Sequence, residues 1–306
     1  MKKNKIVTLI IILVLIVGGI WFALKNRAGN IVNNKLQVTA SFYPYYFFAS
    51  QVGGNKVNVI NITPPGGEPH DYEPTPQDII NIESSKLLIL NGNVEPWANK
   101  IKDLLRGKNA VILETGNGLF TQTVIDENGI NSTDPHIWLS LKLAKAQVNS
   151  ILDKYIQIDP QNKDYYTNNA NNLLNDLNSL DMEYKTGLAS CRLQDIITSH
   201  AAFGYLAADY GLKQIAIAGL SPDSEPSLKQ LAEIASFAKT NNIKYIFFES
   251  LVSPKLSQTI ASEVGAKTLV LNPIEGLTSM EISQGKNYLT VMQDNLKNLR
   301  LALDCK

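Results

Sequence analysis

Residues 166–188 read YTNNANNLLNDLNSLDMEYKTGL. The apolar positions Tyr166, Ala170, Leu173, Leu177, Leu180, Tyr184 and Leu188 are spaced 4, 3, 4, 3, 4 and 4 apart. A helix of 3.6 residues per turn gathers that spacing into one stripe. Asp159-Pro160 marks a start and no glycine or proline follows until Gly187, so the spacing predicts one helix of about seven to eight turns. A stripe this short packs on its own protein rather than forming an isolated coiled coil.

On either side, short apolar runs alternate with helical patterns. Before the helix, Val38–Phe42, Val57–Ile62, Leu87–Leu90 and Ala110–Leu113 read as strands, separated by helical stretches such as Gln77–Ser84 and Glu95–Leu105. After it come Asp195–Thr198, Gln214–Ala218, Lys244–Phe248 and Thr268–Leu271. Runs of this kind are buried on both faces of a parallel sheet. Pro226 opens a helix with Leu228, Leu231, Ile234 and Ala238 on one face, and Thr278 with Glu281 forms a capping-box pattern ahead of a final helix carrying Tyr288, Met292, Leu296 and Leu299. The expected fold class is therefore α/β: two parallel-sheet α/β lobes joined by a single long helix, which limits closure more than a multi-strand hinge does. At 306 residues the chain also exceeds one comfortable core.

The N-terminus is different in kind. Lys2, Lys3 and Lys5 precede an uncharged run from Ile6 to Leu24, and Lys25 and Arg27 follow. That length suits a membrane crossing, and the charge bias puts the N-terminus inside and the remainder outside. A cleaved signal peptide is the alternative, but no small-x-small cleavage site follows and no cysteine stands ready for lipid attachment. The expected organisation is a cytoplasmic stub (1–5), a transmembrane signal anchor (6–24), a tether (25–36), an N-terminal lobe (37–158), the linking helix (159–190) and a C-terminal lobe (191–306), with a monomer as the working form. Cys191 and Cys305 are the two cysteines. Outside the membrane a disulfide between them is expected, tying the C-terminal tail to the start of the second lobe. Acidic and basic residues number 28 each, and no basic stripe appears, so nucleic acid is not an expected partner.

The chain has three histidines, each in its own polar or proline-punctuated context: Glu68-Pro69-His70-Asp71-Tyr72, Thr133-Asp134-Pro135-His136-Ile137-Trp138 and Thr198-Ser199-His200-Ala201. All lie where predicted elements end, which is where binding groups collect. In open parallel sheets ligands sit outside the C-terminal strand ends. His200 follows a strand directly, His70 follows Val57–Ile62, and Glu275 follows Thr268–Leu271. Three imidazoles and one carboxylate form a good inventory for tetrahedral Zn(II), leaving a net charge of about +1; manganese and iron(II) usually take a more oxygen-rich set. Ring-orienting partners would be needed, with Glu68, Asp134 and Glu225 as candidates. Against this, the spacing of the histidines matches no local metal motif, and any one of them alone reads as structural. Gly116-Asn117-Gly118 lacks the third glycine of a dinucleotide fingerprint, and neither a Gly-x-Ser-x-Gly elbow nor a phosphate-binding loop occurs.

Six ordered segments carry a resemblance over nearly the whole length from Val38. They are Ser41-Phe42-Tyr43-Pro44, Pro69-His70-Asp71-Tyr72-Glu73-Pro74, Asp134-Pro135-His136-Ile137-Trp138-Leu139, Thr198-Ser199-His200-Ala201-Ala202-Phe203-Gly204-Tyr205, Glu249-Ser250-Leu251-Val252-Ser253-Pro254 and Leu271-Asn272-Pro273-Ile274-Glu275-Gly276. The chain resembles the zinc-binding branch of the metal-binding substrate-binding proteins of ABC importers. The resemblance implies metal held in the interlobe cleft by His70, His136 and His200. Glu275 is the matching fourth ligand and water the alternative; Asn272 lies near the place where some relatives have aspartate. It implies capture of Zn(II) on the extracytoplasmic face of a bacterial membrane and delivery to an ABC permease, with no chemistry performed. The competing expectations are Mn(II) or Fe(II) as cargo, a zinc hydrolase, or an adhesin. The segment Gly116–Thr133 has no histidine, unlike the histidine-rich loop frequent in such relatives.

Overall fold

Leu87-Leu88-Ile89-Leu90 offers no polar side chain to turn toward water, and all four residues are fully buried. They alternate between two cores. Leu87 and Ile89 face one apolar cluster, Leu88 and Leu90 another, as the two-residue period of a strand requires. The computed structural model describes residues 35–125 and 131–306. In chain order the first half comprises β1 (Leu36–Ala40), α1 (Tyr43–Gly53), β2 (Val57–Asn61), α2 (Pro76–Ser84), β3 (Leu87–Leu90), α3 (Ala98–Leu104) and β4 (Val111–Glu114). A hairpin of β5 (Thr123–Ile125) and β6 (Asn131–Thr133) precedes the helices α4 (Leu141–Ile158) and α5 (Lys163–Leu188). The second half runs through β7 (Asp195–Thr198), α6 (Gly204–Tyr210), β8 (Lys213–Ala216), α7 (Leu228–Thr240), β9 (Tyr245–Phe248), α8 (Lys255–Val264) and β10 (Lys267–Val270). It ends with α9 (Ser279–Ser283) and α10 (Tyr288–Ala302). The expected stub, signal anchor and nearly all of the tether lie outside the described residues. Among the described residues no helix is long and apolar enough to cross a membrane.

Two four-stranded parallel sheets result, ordered β2-β1-β3-β4 and β8-β7-β9-β10. The topology is the same in both. Val38 lies opposite Val59 on one side and Leu87 on the other, and Ile197 lies between Ile215 and Ile246. Each sheet therefore has a switch point, between β1 and β3 and between β7 and β9, where chain connections leave in opposite directions. The outer face of the first sheet buries Ile82, Trp97 and Ile101 of the α2–α3 region, and that of the second buries Ile234, Ala238 and Ile260. The inner faces of both sheets share one cluster with α1, α4, α5 and α10.

The long helix α5 spans 26 residues, and its buried positions are Tyr166, Ala170, Leu173, Leu177, Leu180, Tyr184 and Leu188, the stripe read from spacing. It packs on α1, α4 and α10. Other boundaries moved for identifiable reasons. The helix expected from Glu95 starts at Ala98, because the Glu95 carboxylate accepts from the Asn91 and Gly92 amides instead. Thr278 and Glu281 do form a capping box, but it opens the five-residue α9; Asn287 and Thr290 cap α10 separately. The strands β5 and β6 are three residues each and leave almost no periodicity in the sequence.

Cys191 and Cys305 are disulfide-bonded across 114 residues, and their backbones pair as an isolated antiparallel bridge. The link closes the entire second half into a loop, which restricts the unfolded chain. Replacing both cysteines by serine is expected to lower the unfolding free energy by about 2–4 kcal/mol, read from urea denaturation of the metal-free protein.

Candidate metal centre

The four residues singled out by sequence converge. Donor atoms of His70, His136, His200 and Glu275 all lie within 4.8 Å of one another. Each of the three Nε2 atoms stands 3.3 Å from Glu275 Oε1. His136 Nε2 lies 3.3 Å from His70 Nε2 and 3.4 Å from His200 Nε2. Five of the six edges are thus 3.3–3.4 Å, and the sixth, His70 to His200, is within 4.8 Å; a regular tetrahedron of the shorter edge has its centre about 2.0–2.1 Å from each vertex, the distance at which zinc binds imidazole nitrogen and carboxylate oxygen.

The local sequence explains each position. After β2, the segment Thr63-Pro64-Pro65-Gly66-Gly67 turns the chain toward the second half. Gly66 has φ +81°, and its amide donates to the Leu277 carbonyl at 3.0 Å. Gly67 is confined as well, since a Cβ there would stand 3.1 Å from the Pro64 carbonyl oxygen, and a Cβ on Gly276 would stand 3.2 Å from the Gly67 carbonyl oxygen. His70 then has its amide on Glu68 Oε1 at 3.2 Å. Asp134 Oδ1 receives both the amide and Nδ1 of His136, at 2.9 and 2.8 Å. Glu249 follows β9 at the switch point of the second sheet and does the same for His200, with Nδ1 at 2.6 Å and the amide at 3.2 Å. A carboxylate on Nδ1–H fixes the tautomer and turns the Nε2 lone pair forward. Pro273 and Trp138 join the two halves directly behind the site, the indole Nε1–H donating to the Pro273 carbonyl at 2.7 Å.

Glu275 is held differently. It is 1% exposed, and neither carboxylate oxygen has a hydrogen-bond partner among the described residues. An ionised carboxylate in that state is costly unless a positive charge stands beside it. Burial by itself raises its pKa, but the imidazoles of His200, His136 and His70 outweigh this and hold it well below the usual carboxylate range. The reciprocal effect appears on the rings. Burial lowers His200, yet Glu249 and Glu275 lift it well above its ordinary value; His136 is raised likewise, burial being overcome by Asp134 and Glu275. Burial and then the charge of Glu275 push Glu68 up to about 9. Three forward-facing nitrogens and an orphaned carboxylate fit a dication at their centre better than any arrangement of protons.

Ile274, next to Glu275, has φ +59°. For a β-branched residue the left-handed region costs about 1–3 kcal/mol and persists only where the surroundings impose it. Of the expected ring-orienting residues, Asp134 takes that part, whereas Glu225 is exposed ahead of α7. Glu249 was missed. Its signal was a carboxylate ending the apolar run Tyr245-Ile246-Phe247-Phe248.

Comparison with known proteins agrees with this chemistry. A family model described as zinc-uptake complex component A, periplasmic (ZnuA), matches residues 38–302. The chain is 40% identical over 281 residues to the high-affinity zinc uptake system protein ZnuA of Bacillus subtilis, covering 88% of each. It is also 40% identical over 283 residues to the zinc-binding lipoprotein AdcA of Streptococcus pneumoniae, covering 89% of this chain and 56% of that longer protein. The crystal structure of the Zn(II)-bound ZnuA-like domain of S. pneumoniae AdcA superposes with a TM-score of 0.77 at 39% identity, over 88% of this chain and 99% of that domain.

In the metal-free protein His200 should bind its proton to higher pH than an ordinary histidine. A raised folded-state pKa stabilises the fold below the unfolded pKa, and this stabilisation is lost as pH rises through the folded value. Glu249→Gln removes one of the two carboxylates responsible, so the His200 titration, followed by imidazole nitrogen NMR, is expected to move to lower pH. An unchanged titration would show that Glu249 does not set the ring's state.

Proposed function

The chain belongs to the ZnuA family of zinc-uptake components, and on that premise we propose that it captures Zn(II) outside the cytoplasm and hands it to an ABC-type permease. His70, His136, His200 and Glu275 are the ligands in this reading, two from each of two α/β lobes, with the cation as transported cargo. The lobes take the boundaries 37–158 and 191–306, with 159–190 linking them. Residues 6–24 anchor the monomer to the membrane, and the tether 25–36 gives it reach.

The observation that carries the proposal is the equal 3.3 Å spacing of three imidazole Nε2 atoms, two of them on fully buried rings, from one orphaned carboxylate oxygen. Nitrogen-rich tetrahedral sets suit zinc, whereas manganese and magnesium take octahedral, oxygen-rich ones. Four protein donors also close the coordination shell. Catalytic zinc keeps one position open for water or substrate, so this site is built for retention rather than turnover. The relatives are likewise named for zinc uptake and zinc binding. Asp134 and Glu249 contribute by holding two rings in the metal-binding tautomer.

Equilibrium dialysis followed by elemental analysis is expected to find one zinc per chain, with stoichiometric retention lost in His136→Ala. Bound zinc at a hundred times its Kd should raise the unfolding free energy by about 2.7 kcal/mol. No stoichiometric zinc in the wild type, unchanged binding in the variant, or tighter retention of manganese in anaerobic competition would each overturn the proposal.

A further inference from the structure

Glu275 sits in the middle of a loop, 272–278, that is fastened at both ends. At its end, Thr278 and Glu281 cap α9: the Glu281 carboxylate accepts from the Thr278 amide and hydroxyl at 2.8 and 2.9 Å. At its start, Asn272 is 3% exposed and every polar atom it owns is engaged. Its amide donates to Asn295 Oδ1 at 2.9 Å, and its carbonyl accepts from Asn295 Nδ2 at 2.7 Å. Its side-chain Nδ2 donates to Ser250 Oγ at 2.7 Å and to Glu281 Oε1 at 3.2 Å. Its Oδ1 accepts from the Ile274 amide at 2.7 Å.

That last bond spans two residues, an Asx-type turn in which a side chain stands in for a backbone acceptor. It closes on the one residue of the loop with left-handed backbone, Ile274. Isoleucine avoids this conformation, since its Cβ crowds the neighbouring carbonyl. A strained peptide relaxes unless something fixes it, and Asn272 Oδ1 is the polar group that fixes this one. Relaxation at Ile274 would rotate the next residue away from the three imidazoles.

We infer that Asn272 is the positioning residue for Glu275, acting through the Ile274 peptide that it holds in the left-handed conformation. The inference rests on the reading of Glu275 as a metal ligand. Asn272 itself stays out of the coordination set because its amide oxygen and nitrogen are both committed elsewhere.

The test uses the full chain loaded with cobalt(II), whose visible ligand-field bands report the ligand set, together with zinc affinity by chelator competition. Asn272→Ala is expected to weaken zinc binding roughly 10–100-fold and to shift the cobalt spectrum toward that of Glu275→Ala. Adding Ile274→Gly to Asn272→Ala removes the crowding that drives relaxation. The double variant should regain wild-type bands and part of the lost affinity even as its unfolding midpoint falls, a combination that a merely structural role would not give. Ile274→Gly alone, with Asn272 intact, should keep the wild-type spectrum, and it decides the matter if Asn272→Ala does not fold. Wild-type spectrum and affinity in Asn272→Ala, no recovery in the double variant, or a Glu275→Ala-like spectrum in Ile274→Gly alone would each overturn the inference. If wild type binds neither metal, or if Glu275→Ala leaves spectrum and affinity unchanged, the ligand reading itself fails and the inference falls with it.

Discussion

A carboxylate that is 1% exposed and has no hydrogen-bond partner among the described residues is the constraint around which the other site residues are arranged. Water cannot solvate it and no amide or hydroxyl compensates it, so positive charge must reach it from the three imidazoles or from a cation between them. The rings answer that demand only if their Nε2 atoms face inward. Asp134 and Glu249 arrange this from behind by taking Nδ1. Two further negative charges are thereby drawn close, which is tolerable because each is spent on an imidazole N–H. The whole assembly is an alternation of charge running outward from one oxygen atom.

Much of the architecture was legible because it obeys simple periods. The stripe of α5 follows the helical repeat without a break, and Leu87–Leu90 has no polar residue to make its assignment ambiguous. The four convergent residues were legible for a different reason. Three histidines are few enough that each context could be weighed, and strand-end placement gave a physical reason for them to meet. Glu249 was harder, since a single carboxylate at a strand end carries no pattern until the topology shows that β7 and β9 are neighbours. The role of Asn272 was illegible in principle. Its meaning depends on the backbone angle of Ile274, and nothing in the pair Asn-Pro followed by isoleucine announces a left-handed residue.

The two sheets repeat one topology but contribute to the site unequally. From the second sheet, His200 follows the central strand directly and Glu249 stands beside it across the switch point. From the first, His70 comes after the turn beyond the edge strand β2, and His136 follows the hairpin beyond β4. A shared fold has been fitted with different loops, and those loops, not the sheets, distinguish the halves chemically. The disulfide adds to this asymmetry by closing only the second half.

The inner faces of both sheets, together with α1, α4, α5 and α10, lie in one continuous apolar cluster, and the connections that carry His136, His200 and Glu275 feed Trp138, Phe203 and Ile274 into it. Core packing yields only with large-scale opening of the chain, whereas exposed loops rearrange on nanosecond-to-microsecond timescales, and three of the four convergent donors stand with the core, buried at 0–1% exposure. A cation held there leaves only when a connection packed into the core gives way as well as its own bonds. The lifetime of the folded chain and the lifetime of its cargo are thus coupled, and a mutation that loosens the core behind the site shortens both.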